Sequence, residues 1–229
     1  MTARIAVLAS GGGTNLQAIL DHLRARGDKR AGDVVLVASD RPEAGALHRA
    51  REARIPDAVL RSTRAPEGCD LADLLRTHGV DFVALAGYLR LLPKELIAEY
   101  PSRIVNVHPA LLPSFGGPGM YGERVHRAVL MSGASVSGAT VHYVDEEYDN
   151  GAIVAQWPVP VLADDSVQTL AARVLKVEHV LYPRVIDAVA SGRWRFDARP
   201  RAVPDSAAFS LMHWDDRRLI EDIEHAFGL

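Results

Sequence analysis

The sequence predicts an α/β protein in three layers: a mostly parallel, twisted sheet with helices on both faces and an antiparallel strand addition near the C-terminal end. Three observations lead there. Short apolar runs alternate with stretches of helical periodicity through the first hundred residues, the pattern of parallel strands joined by right-handed crossover helices. The first run ends in Ser10-Gly11-Gly12-Gly13 and passes directly into a helical stretch. After residue 108 the alternation gives way to two strands separated by an acidic turn, a hairpin-like return of the kind appended to mixed sheets.

Each element follows from its residues. Residues 4–9 are an apolar run that reads as a buried strand. Residues 14–26 place Leu16, Ile19, Leu20 and Leu23 at helical spacing. Residues 34–39 form the second strand, 44–54 the second helix, 58–60 a short third strand and 70–78 a further helix. Residues 82–86 are the fourth strand, 93–99 a helix with Pro93 near its start, and 104–107 the fifth strand, which Pro109 stops. A loop rich in Pro and Gly covers 109–122, and 123–132 is helical. Strands at 137–144 and 153–159 precede a long helix over 166–190, with Ser166 as its cap and Pro183 predicting a break or kink. A boundary near Asp197 sets off a tail whose stretch 214–227 is amphipathic, suited to capping the core or meeting a second subunit in a homodimer.

Composition narrows the function. With 229 residues, 48% of them apolar, the chain suits one large domain with a sizeable core. A net charge of −3 offers no electrostatic reason for a nucleic-acid partner. No apolar run approaches the ~20 residues of a membrane span, and no signal peptide is visible. The single Cys69 excludes an internal disulfide and a Cys-rich zinc site. A cytoplasmic protein acting on small molecules, without a metal, is expected.

Two places carry chemistry. Strand alternation puts Asn106 and His108 on one side at the carboxyl end of the fifth strand, where open parallel sheets bind ligands. The Ser-Gly-Gly-Gly-Thr-Asn turn can bring backbone amides and a helix dipole to an anion. It lacks the Gly-Lys-Ser/Thr of a Walker A loop, and Leu16 stands where a dinucleotide fingerprint needs its third glycine. A tight turn without a ligand remains an alternative. Asp40, ending the second strand, resembles the acidic ribose ligand of dinucleotide sites. A carboxylate of the acidic segment 145–151, folded back onto His108, would raise its pKa and favour imidazolium. His142, on the same side of its strand as Thr140, reads as structural, and His126 as part of an exposed helix face. Glu178 reads by default as a helix-surface charge, although it could reach a ligand hydroxyl. No Gly-x-Ser-x-Gly elbow supports a hydrolase triad.

Five segments in order are Ser-Gly-Gly-Gly-Thr-Asn-Leu-Gln, Leu-Ala-Gly-Tyr-Leu-Arg-Leu-Leu, Asn-Val-His-Pro-Ala-Leu-Leu-Pro-Ser-Phe, Thr-Val-His-Tyr-Val-Asp-Glu-Glu-Tyr-Asp-Asn-Gly and Val-Glu-His-Val-Leu-Tyr-Pro. Together, from Arg4 to about Phe196, the chain resembles the phosphoribosylglycinamide formyltransferases, the folate-dependent transformylases of purine synthesis. The resemblance implies a formyltransferase-like domain over 1–197: a phosphate-binding, Rossmann-like half to residue 100, then a catalytic and folate-binding half, with 198–229 as a tail. It implies that Asn106, His108 and Asp149 are catalytic. Gly13, Thr14, Asn15, Leu16 and Gln17 would hold the phosphate region of glycinamide ribonucleotide. Leu175, Lys176, Val177 and Glu178 would lie at its ribose end. The formyl donor, 10-formyltetrahydrofolate, would meet Leu89, Arg90, Leu91 and Leu92, together with Asn106. The segment Asp145, Glu146, Glu147, Tyr148 and Asp149 would close over it. Arg64 is the nearest match to a basic residue that contacts the folate tail in relatives. The chain departs from the family pattern in the extra residues Gly-Gly-Pro-Gly-Met-Tyr-Gly after Phe115, and the tail has no family counterpart.

Other readings keep part of this chemistry. A formyltetrahydrofolate hydrolase would use water as acceptor, whereas the glycine loop favours a phosphorylated one. Formyltransferases of initiator tRNA usually carry a C-terminal barrel and a basic surface, unlike this short tail and acidic balance. A sugar-nucleotide formyltransferase would differ in its amine acceptor, and a nucleotide-binding sensor would make no use of Asn106, His108 and Asp149 together.

Overall fold

The computed structural model describes residues 2–60, 69–192, 194–196 and 202–204. Seven strands form one sheet in the order β3-β2-β1-β4-β5-β6-β7. They are β1 (Ala3–Leu8), β2 (Gly32–Ser39), β3 (Asp57–Val59), β4 (Phe82–Leu85), β5 (Ile104–His108), β6 (Val136–Tyr143) and β7 (Ile153–Pro160). The first five run parallel, and β6 and β7 add antiparallel pairings at one edge. The helices are α1 (Thr14–Arg26), α2 (Gly45–Glu52), α3 (Cys69–Thr77), α4 (Lys94–Glu99), α5 (Glu123–Ser132) and α6 (Val167–Ala190). The mostly parallel plan with an antiparallel addition is the one read from the sequence.

The pleat sorts the strand residues into two cores. Ile5 and Val7 lie on one face, in a core shared with Leu16 of α1, Leu47 of α2, Val129 of α5 and Tyr182 of α6. Ala6 and Leu8 face α3 and α4, packing against Leu71, Leu75 and Leu96. Both faces are covered, as parallel strands require. The Ser166 hydroxyl accepts the Thr169 N–H at 3.1 Å in a capping box that starts α6. The helix then runs on through Pro183 to Ala190, so no break occurs there. Tyr182 ties this helix to the sheet by donating to the carbonyls of Leu85 and Val105 at 2.8 and 3.1 Å.

Three short elements escaped the sequence reading. A single turn of 3-10 helix spans Gly27–Lys29, and strands β8 (Trp194–Phe196) and β9 (Ala202–Pro204) pair antiparallel across the boundary placed at Asp197. The tail stretch 214–227 lies outside the described residues.

The turn after β1 is sterically fixed. Gly13 has φ +74°, and a Cβ there would sit 2.6 Å from Ala46 Cα. Only glycine allows α1 to begin against the start of α2. The Ala46 N–H donates to the Gly11 carbonyl at 3.2 Å, joining the two helix starts.

Candidate active site

A cavity of about 640 Å³ opens at the carboxyl ends of β4 and β5, beside the point where the strand order reverses between β1 and β4. Its size suits a small-molecule site. Asn106 and His108 enter it from β5, Leu89, Arg90, Leu91 and Leu92 from the segment after β4, and Asp149 from the turn after β6. Asn15, Leu175 and Glu178 line it from α1 and α6, and 117–123 from the loop before and at the start of α5.

Asn106, His108 and Asp149, distant in sequence, meet here around a fourth residue, His142. Register places Asn106 opposite His142 across the β5–β6 pair. The His142 Nδ1–H donates to the Tyr143 carbonyl at 2.8 Å, which leaves Nε2 as an acceptor for the Asn106 amide at 3.1 Å. Asp149 has φ +56° and is held by the Gly117 N–H, which donates to Oδ2 at 3.0 Å. Its Oδ1 lies 3.6 Å from His142 Nε2 and its Oδ2 lies 3.4 Å from His108 Nδ1. The His108 Nε2–H donates to the Phe115 carbonyl at 2.9 Å. A carbonyl can only accept, so the neutral ring carries its proton on Nε2 and turns the Nδ1 lone pair toward the carboxylate.

The electrostatics correct one expectation. Burial lowers the His108 pKa and outweighs the upward push of the Asp149 charge and the Phe115 carbonyl; His142 lowers it further. The expected net rise does not occur. Burial also opposes the Asp149 charge, but the proximity of His142 and His108 and the Gly117 amide prevail and hold the carboxyl below its usual range. At neutral pH the pair is an ionised carboxylate facing a neutral imidazole. A proton arriving between them has a prepared seat.

A buried carboxyl from α6 also lines the cavity. Glu178 is 7% exposed and accepts the Asn15 amide at 2.7 Å, so it is no helix-surface charge. It lies on the stripe of Leu170, Val174, Leu181 and Val185, a spacing that places it inward. The Asn15 Oδ1 is buried without a hydrogen-bond partner among the described residues. Burial pushes the Glu178 pKa up to about 7, with the Asn15 hydrogen bond pulling the other way. The folded-state value stands above the ordinary one, so this group's contribution to stability is full at low pH and fades as pH rises toward 7 and above. Glu178→Gln is expected to remove a pH-dependent loss of folding free energy on the order of 3 kcal/mol between pH 5 and 8, and so to flatten the fall of Tm across that window. Thermal melts of both proteins at several pH values check this; parallel curves would contradict it.

Residues 3–186 match the formyl transferase family. The chain belongs to the formyl transferase family. It is similar to an Arabidopsis thaliana protein named phosphoribosylglycinamide formyltransferase, chloroplastic, at 48% identity over 204 residues, 86% of this chain and 69% of that protein. It is similar to the solved structure of glycinamide ribonucleotide transformylase 1 from Symbiobacterium toebii, with TM-score 0.80 and 40% identity over 89% of this chain and 94% of that one. A formyltetrahydrofolate deformylase from Pseudomonas syringae is similar at TM-score 0.78 and 26% identity, over 89% of this chain and 66% of that one.

Other expected site residues of this formyl transferase divide. Leu16 and Val177 are wholly buried in the core, so only their backbone can face a ligand, whereas Thr14 and Lys176 are exposed. Gln17 accepts from Arg49 Nη1 at 3.2 Å, and Arg49 Nε donates to the Gly12 carbonyl at 2.9 Å. Arg49, at the glycine loop from α2, was not anticipated. Glu147, Tyr148 and Asp149 line the cavity. Asp145 and Glu146 do not line it: Asp145 Oδ1 accepts the Glu147 N–H, and Glu146 pairs with Lys94. Arg64 lies outside the described residues. His126 is buried against the cavity rather than exposed, between the core residues Val125 and Val129. Asp40 does not offer itself to a ribose, because both of its oxygens are taken by protein groups.

Proposed function

We propose that this formyl transferase moves the formyl group of 10-formyltetrahydrofolate to the amino group of 5'-phosphoribosylglycinamide in de novo purine synthesis. The products are the N-formyl nucleotide and tetrahydrofolate. The observation that carries this is the meeting of Asn106, His108 and Asp149 in a cavity whose lining offers two unlike sets of residues, which we assign to two ends. One end joins Asn15 and Glu178 beside a glycine loop, which suits ribose hydroxyls and a phosphate. The other is the apolar wall of Leu89, Leu91 and Leu92, which suits a pterin ring.

The substrate amine attacks the formyl carbon, and the carbonyl oxygen becomes negative. Asn106 has two amide hydrogens; His142 takes one and the other can meet the oxyanion. The attacking nitrogen must lose a proton, and His108 Nδ1 is the free base beside it. Asp149 stabilises the imidazolium so formed. That proton then goes to the folate nitrogen as its bond to carbon breaks. Positioning and electrostatics do this work without a covalent enzyme intermediate.

The similarity to a deformylase supports a second reading, with water as the acceptor. Incubation with the formyl donor, followed by tetrahydrofolate release, distinguishes the two. Release that depends on phosphoribosylglycinamide supports the transferase; equal release without it establishes the hydrolase. The proposed setting is the cytoplasm, on the strength of one cysteine in 229 residues, although the plant relative is named as chloroplastic.

A further inference from the structure

Asp40 stands just beyond the carboxyl end of β2, and its side chain is 7% exposed. Its Oδ1 accepts the Ser10 hydroxyl at 2.6 Å, and its Oδ2 lies 3.2 Å from Arg90 Nε. Ser10 faces the other way as well: its Oγ accepts the Leu89 N–H at 3.0 Å, and its own N–H donates to the Gly87 carbonyl at 3.0 Å. One carboxylate therefore ties the first residue of the glycine loop to the segment 89–92 that lines the cavity. Arg90 lines that cavity and is 45% exposed. Among the described residues nothing accepts from its Nη1 or Nη2. A guanidinium on a flexible stem samples many rotamers in solvent; holding it by Nε fixes the plane and leaves the Nη edge presented.

We infer that Asp40 is a positioning residue for the formyl donor: through Ser10 and Arg90 it sets the donor-side wall in register with the nucleotide loop. The inference rests on assigning Leu89, Arg90, Leu91 and Leu92 to the donor. Asp40→Asn separates the two contacts. The asparagine oxygen can still accept from Ser10, so the Leu89 amide stays in place, but the new NH2 group meets Arg90 as donor against donor.

The test uses the whole enzyme, with kcat and KM measured for each substrate in Asp40→Asn, Arg90→Ala and the double variant, and Tm for each. Asp40→Asn is expected to raise KM for 10-formyltetrahydrofolate roughly tenfold, the scale of one charge-assisted contact, with kcat and the nucleotide KM within about twofold. Arg90→Ala should act similarly, and the double variant should be no worse than Arg90→Ala alone, because both changes remove one coupled contact. If Arg90→Ala raises the donor KM and Asp40→Asn does not, the inference fails while the donor wall stands. If Arg90→Ala leaves the donor KM unchanged, the assignment of Arg90 to the donor falls, and the inference with it. A joint rise of both KM values with a lower Tm in Asp40→Asn marks a structural bracket and also overturns it.

Discussion

Asp149→Asn is expected to lower kcat by about a hundredfold or more while the dissociation constant of the nucleotide changes by no more than about twofold. The amide keeps the shape of the carboxylate and can still accept the Gly117 N–H. It cannot stabilise an imidazolium at His108 Nδ1, 3.4 Å from the present carboxylate. Asn15 and Glu178, which we propose hold the nucleotide, are bonded to each other rather than to Asp149, so binding there is expected to survive. A pH profile sharpens the expectation. The Asp149 charge pushes the His108 pKa up against burial. Removing it lets that pKa fall further, so the acid limb of kcat/KM, where the base becomes protonated, moves to lower pH. Wild-type turnover in this variant would take Asp149 out of the chemistry.

The second large effect is expected at His108. His108→Ala removes the base whose free lone pair faces Asp149 and is expected to cost about a hundred- to a thousandfold in kcat. The proton must then leave through water. Because His108 and Asp149 act on the same proton, the double variant is expected to be little slower than His108→Ala alone. Multiplied single effects in the double variant would show that they act independently. Tm separates this from damage to the fold, since the buried ring also holds the Phe115 carbonyl.

The legibility of this chain follows its periodicity. The parallel strands were readable as short apolar runs alternating with helical stretches, and α1 because its apolar residues recur at helical spacing over Thr14–Arg26, bounded correctly by its glycines. Asn106 and His108 were readable as a pair because β5 alternates and Pro109 ends it. That Asp149 reaches them rested on family resemblance, for no local pattern says where a turn residue with φ +56° will point. Glu178 and His126 were placed on surfaces because polarity was weighed above position. Glu178 in fact completes the apolar stripe of α6. The roles of Phe115 and Gly117 were invisible for another reason: both act through backbone atoms, and the sequence names only side chains.

The hydrogen bond between Asn15 and Glu178 joins residues 163 apart in the chain. A ribosome has made the glycine loop, and all five parallel strands, well before it makes the helix that completes the pocket. Until that helix docks, Asn15 lacks its Glu178 partner and this part of the pocket is unfinished. Substrate binding thus reports on the arrival of the last third of the polypeptide, and a ligand selective for the finished pocket would favour whole molecules over truncated ones by mass action.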